Sequence, residues 1–178
     1  MKYNRLYFKK NNKKGFVTMY DLNYNQFFNL LDNSNKLRKE FEKYMKSDFK
    51  KSEKITPPKS IIELWKSNKT FKIKKMRICI LIYKNNYIGC FRYYKSKFTD
   101  INGISLGDKT YIKICIVYIV PKYRRLGLAY SMLYKILNNK NKYLLIVSNN
   151  NTSAYNLYKK LGFKKIGSDM ESIIMIRN

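Results

Sequence analysis

The chain has 178 residues, 45% of them hydrophobic and 16% aromatic, which is material enough for one buried core and excludes wholesale disorder. Lys and Arg number 38 against 11 Asp and Glu, a formal charge of +27 that attracts nucleic acid, anionic surfaces and phosphorylated molecules and repels free polycations. Because Lys, Asn, Ile, Tyr and Phe share A/T-rich codons, compositional bias also accounts for the surplus.

Residues 1–14 read as a short Lys/Asn-rich lead with Tyr3, Leu6, Tyr7 and Phe8 as its apolar anchors, and a first strand is expected from Gly15 to Tyr20. From Asn25, Phe27, Leu30, Leu31, Leu37, Phe41, Tyr44, Met45 and Phe49 follow helical spacing with a break near Asp32 to Asn35, giving one or two helices. Lys50 to Lys59, with Pro57 and Pro58, reads as a linker, and Ser60 caps a short helix through Ile61, Leu64 and Trp65. Met76 to Tyr83 and Tyr87 to Tyr94 are expected strands joined by a short loop, and Lys95 to Thr110 is expected as a polar connection. Cys79, Cys90 and Cys115 all fall in predicted strands, and with no histidine to complete a zinc set they read as small buried hydrophobes; no metal is expected. The absence of an eighteen-residue apolar run or of an apolar signal core predicts neither a membrane span nor secretion, hence a cytoplasmic protein.

The rest of the chain is organised around Tyr111 to Leu137. Ile112 to Val120 is β-branched and aromatic and stops at Pro121, as a buried strand does; from Leu126 the apolar spacing becomes helical. Between them lies Arg124-Arg125-Leu126-Gly127-Leu128-Ala129, a basic strand-to-helix turn. Such a turn gathers unpaired N–H groups and the positive end of the helix dipole, and a glycine lets a ligand approach, so it reads as a phosphate cradle or as a plain connection. Downstream, Lys142 to Ser148 is a second buried strand, followed by an Asn151- or Thr152-capped helix whose face is Ala154, Leu157, Tyr158 and Leu161. Gly162 then supplies a left-handed stop, and segments 163–166 and 172–176 read as a last hairpin around Gly167-Ser168-Asp169.

Two of these stretches resemble the GNAT superfamily of acetyl-CoA-dependent N-acetyltransferases. Arg124, Gly127 and Ala129 fill the pattern [RQ]-x-x-G-x-[GA] after Val120-Pro121, and Asn151 to Phe163 is similar to N-x-x-A-x-x-L-Y-x-x-x-G-F. The resemblance is strong from 111 to 163 and implies one α/β domain over 1–178, with a mixed sheet of six to seven strands splayed at the cofactor and about four helices. It implies acetyl-CoA held by the backbone of Arg125, Leu126, Gly127, Leu128 and Ala129 with Arg124 adding charge, and by the strand end at Ile119 and Val120. Asn151 would contact the pantetheine arm, Ala154 would belong to the same cofactor-binding set, and Tyr158, also at the cofactor, would be the catalytic residue, acting as general acid toward the departing sulfur. The early helices would select the substrate.

The proton on the acceptor amine has no evident taker. Some relatives carry a Glu on the strand before the phosphate turn, whereas Tyr111 to Tyr123 contains no acid. Tyr118 and Asp108 stand as substrate or base candidates; Asp100, Glu63, Asp169 and Glu171 are alternatives, as is no protein base. The sparse acids favour a protein lysine, an N-terminal amine or an amino-sugar nucleotide as acceptor over a polyamine. A second reading is a basic protein associated with nucleic acid or the ribosome that binds acyl-CoA with little turnover.

Overall fold

The computed structural model describes residues 2–10, 13–52, 60–67, 76–138 and 140–178. Among them are eight strands: β1 (Lys2–Lys10), β2 (Lys13–Asn23), β3 (Arg77–Tyr83), β4 (Asn86–Ile101), β5 (Ile104–Ile119), β6 (Tyr143–Ser148), β7 (Lys164–Ser168) and β8 (Ser172–Arg177). They form one sheet in the order β1-β2-β3-β4-β5-β6-β8-β7, antiparallel throughout except between β5 and β6. In β3, Ile78 and Ile80 belong to one core cluster and Cys79 and Leu81 to the other, so the sheet is covered on both faces.

Three helices, α1 (Tyr24–Asp32), α2 (Asn35–Ser52) and α3 (Ile61–Ser67), cover one face, and α4 (Leu128–Ile136) and α5 (Thr152–Lys160) cover the other. A capping box between Asn23 and Gln26 starts α1. The N-terminus of α3 is capped from α2: the Glu42 carboxylate accepts from the N–H groups of Ile61 and Ile62, both at 2.9 Å, and from the Ser60 hydroxyl. Burial alone would raise that carboxyl, but the three hydrogen bonds and Lys46 hold it below its ordinary value. Under these helices Phe41 meets Phe27 and Trp65 edge to face at 5.3 and 5.1 Å, and Phe27 and Trp65 lie tilted at 6.0 Å, in one cluster with Ile78, Ile80 and Cys90.

Three sequence expectations change. Residues 2–10 are a strand, because Leu6 and Phe8 are buried on the sheet while charged neighbours mask the alternation. Lys95 to Thr110 is an arm made of the long ends of β4 and β5, turned by Asn102-Gly103, both in the left-handed region at φ 49 and 76. Ile101 and Leu106 of this arm, with Tyr111 just after it, pack on Leu144 and Ile174, forming a third core cluster. Its tip is tied down by Asn102 Nδ2 donating to Asp169 Oδ2 at 2.7 Å. The expected linker divides: residues 50–52 end α2, and Pro57 and Pro58 lie outside the described residues. No helix among the described residues is long and apolar enough to cross a membrane.

Candidate active site

The parallel pair is where the sheet opens. β5 and β6 are paired only through Ile112–Ile114 and Tyr143–Leu145, after which β5 stays with β4 up to Ile119 and β6 stays with β8 up to Ser148. Facing backbone edges therefore diverge toward the C-terminal ends of both strands, the splay that the family resemblance implies. A bulge sits at the parting: Val117 opposes Phe91 and Cys115 opposes Arg92, leaving Ile116 as the extra residue at φ 38. A β-branched residue there is strained, and Cys115 and Ile116 both fall on the α1–α3 face.

β5 leads into a 3₁₀ turn at Pro121–Tyr123, in which the Arg124 N–H donates to Pro121 O at 3.1 Å. Arg125 and Gly127 both take left-handed φ values, 63 and 72, and α4 starts at Leu128 with no side chain capping it. A Cβ on Gly127 would meet no atom within 4 Å, so the space over the turn is open. Uncapped first-turn N–H groups, the helix dipole and the Arg125 charge thus face a space an anion can enter. Arg124 has a further part: its Nε donates to Ile119 O at 2.8 Å and its guanidinium lies 5.6 Å from the Tyr118 ring, which fastens the turn to the end of β5.

On the other side of the opening, Asn151 Oδ1 accepts from the Ala154 N–H at 3.1 Å and caps α5. The helix ends at Gly162 (φ 85), and the Phe163 N–H donates to Tyr158 O at 3.0 Å, which fixes the backbone of Tyr158. The Tyr158 side chain is buried in the cluster that also holds Ile119, Leu128 and Val147, with Ala129 and Ala154 packed against it. Burial pushes its phenol up to about 12, so it keeps its proton at neutral pH.

Tyr118 and Val120 point the other way, into the cluster under α1–α3. Asp108 lies on the arm, 60% exposed and 3.6 Å from Lys97 Nζ. Glu63 is 63% exposed on α3 and pairs with Arg38 at 3.6 Å; Asp100 and Glu171 are exposed. Asp169 is locked in the β7–β8 turn, where the N–H of Glu171, then the Ser172 hydroxyl and Asn102, hold its carboxyl down at about 2. Sequence reasoning passed over Glu40. Half-buried on α2, its Oε2 accepts from the Tyr87 N–H at 2.7 Å, beside Ile88, whose carbonyl accepts from the Val120 N–H at 2.8 Å. Nothing in a helix of mixed charges marks that one carboxylate as reaching the start of β4. The described residues hold no cluster of three or more His, Cys, Asp or Glu able to bind a metal ion.

Residues 35–163 match the model of the Acetyltransferase (GNAT) family. No curated protein sequence matches the chain significantly. Similar solved structures include the GNAT domain of S. lividans PAT, at 10% identity and TM-score 0.59, covering 98% of this chain and 96% of that one. The NatC complex bound to Gag peptide and CoA is 16% identical with TM-score 0.57, covering 90% and 96%. Arabidopsis thaliana Naa50 in complex with the bisubstrate analogue CoA-Ac-MVNAL is 13% identical with TM-score 0.55, covering 91% and 98%. The family match takes in the bulged strand, the left-handed turn and Tyr158, and the chain belongs to the acetyltransferase (GNAT) family.

Proposed function

We propose that this chain is an N-acetyltransferase that moves an acetyl group from acetyl-CoA to a primary amine by direct attack on the thioester. The observation that carries the reading is the meeting, at one end of the sheet, of an open left-handed turn at Arg125–Gly127 and a gap between β5 and β6. A pyrophosphate fits the first because a ligand atom can take the place a Cβ would fill; an extended amide-bearing arm fits the second because it can pair with strand edges. When bound, acetyl-CoA supplies the activated carbonyl.

The backbone from Arg125 to Ala129 would hold the pyrophosphate, with Arg124 fixing the turn and adding charge. The strand end at Ile119, with Asn151 and Ala154 across the gap, would line the pantetheine arm, while Val120 faces the α1–α3 cluster and anchors that strand end to Ile88. Tyr158 would donate a hydrogen bond to the sulfur as charge develops on it. Raised to about 12, its phenol is a weaker acid than a thiol of about 8.5, so stabilising the thiolate suits it better than complete proton transfer. We assign no carboxylate as base, so the amine would lose its proton to water or through solvent.

The acceptor class we infer is a protein amine, an N-terminus or a lysine, supported by the peptide ligands of NatC and Naa50. An amino-sugar nucleotide also suits the basic charge. Release of CoA, followed against peptides with free N-termini, Nα-blocked lysine peptides, amino-sugar nucleotides and polyamines, tests this. Turnover on a peptide amine supports the reading. Tight acetyl-CoA binding with no CoA release on any amine would replace it with the acyl-CoA-binding alternative.

A further inference from the structure

The charge of this chain is unevenly distributed. From Lys109 to Ser168 there are twelve Lys and Arg and not one Asp or Glu, although eleven acids occur elsewhere. That span contains both helices on one face of the sheet, so the α4/α5 surface is positive without internal compensation. On this surface Tyr130 and Tyr134, one helical turn apart on α4, lie with rings 12° from parallel and centroids 5.8 Å apart. They are 39% and 63% exposed, among the few large apolar side chains the fold leaves in solvent. Beside them is a hollow of about 300 Å³ lined also by Lys160 and Arg177. Tyr134, Leu137 and Asn138 set it toward the C-terminal end of α4, about 10 to 15 Å along the helix from Gly127, with Tyr130 at its near edge, so most of its lining is distinct from the phosphate turn.

We propose that this end of α4 and α5 binds single-stranded nucleic acid, with a base stacked on the Tyr134–Tyr130 platform and backbone phosphates drawn to Lys160 and its neighbours. Exposed, parallel aromatic rings next to cations are the combination that single strands use, since every base has a stacking face and every linkage a charge. An anionic lipid surface would use the lysines but would gain nothing from rings held parallel to each other. A duplex hides its bases, so it too would engage only the charge.

The site does not depend on the acetyl-CoA reading. Fluorescence polarisation with labelled 16-nucleotide oligo(U) and oligo(A) RNA, at two salt concentrations, tests it. Tyr134→Ala should weaken binding about 5- to 150-fold at fixed salt, with the salt slope unchanged. Lys160→Ala should lower the slope by about 0.7 for the phosphate contact it removes. Tyr134 is exposed on a helix, so thermal melting and CoA affinity should match those of the unaltered chain, which reports folding separately. Any of three results would overturn the proposal: equal RNA affinity in Tyr134→Ala, equal affinity for a hairpin duplex of the same charge, or binding to phosphatidylserine vesicles with no RNA binding.

Discussion

Gly127 can be tested in a way that separates its three contributions. Its φ of 72 costs a β-carbon-bearing residue roughly 1–2 kcal/mol, less for Asn, which visits the left-handed region readily. The protein itself offers no clash there, since nothing lies within 4 Å of a built Cβ. Gly127→Ala should therefore lower the melting temperature by a few degrees, at roughly 2–4 °C per kcal/mol for a chain of this size. Gly127→Asn and Gly127→Asp share one shape, so the difference between them is charge alone. A carboxylate some 5 Å from a phosphate, at an effective dielectric of 20, opposes binding by about 3 kcal/mol, or on the order of 10²-fold in Kd. Calorimetric titration with CoA at low and high salt reads the difference, which should shrink as salt rises. If Asn and Asp bind CoA equally, and as tightly as the unaltered chain, no phosphate sits over this turn and the cofactor assignment fails.

Tyr158→Phe keeps the ring and the cluster with Phe163 but removes the hydroxyl; kcat should fall about 10- to 10³-fold with KM little changed, and unchanged kcat would return Tyr158 to the core. Because burial raises that phenol to about 12, no loss from its ionisation should appear in a rate profile up to about pH 10. With no dedicated base, kcat/KM should keep rising with pH toward the amine's own pKa, and a limb near pH 6 to 7 would reveal a tuned carboxylate. Asp169 is depressed to about 2 in the fold from 3.8, so its contribution is present above about pH 4 and lost as pH falls through about 2. Asp169→Asn should flatten the dependence of urea stability on pH in that window, and an unchanged slope would show that the turn does not hold this carboxylate.

What was legible in the sequence was whatever repeated a local period. Helix α5, Thr152–Lys160, and its glycine stop could be read because apolar spacing, cap and stop are encoded within a dozen neighbouring residues. β1 escaped because edge-strand residues such as Lys9 and Arg5 dilute two buried anchors, Leu6 and Phe8. The arm was missed although its signal was present: Asn102-Gly103 is a strong hairpin pair, but the flanking polar residues read as a connection. Within the site, the turn and Tyr158 were visible as motifs. The bond from Arg124 to Ile119 and the reach of Glu40 to Tyr87 were not, because each joins atoms whose meeting depends on the sheet being assembled.

Ile116 shows why such a site can persist while its side chains change. Its left-handed backbone costs roughly 1–3 kcal/mol and would relax into a regular ladder if the end of β5 were free. It is not free: the Val120 N–H is held by Ile88 O, and Ile119 O is held by the Arg124 side chain, so the strand is clamped just beyond the bulge. Beyond Ile114, β5 stays with β4 rather than β6, and the facing edges of β5 and β6 are left to be satisfied by something other than each other. Apart from the Arg124 side chain, the features at this end of the sheet are backbone: two left-handed residues in the turn, one bulge, an uncapped helix start and two strand edges. Main-chain features of this kind constrain conformation far more than residue identity, which is consistent with one fold being kept at 10 to 16% identity.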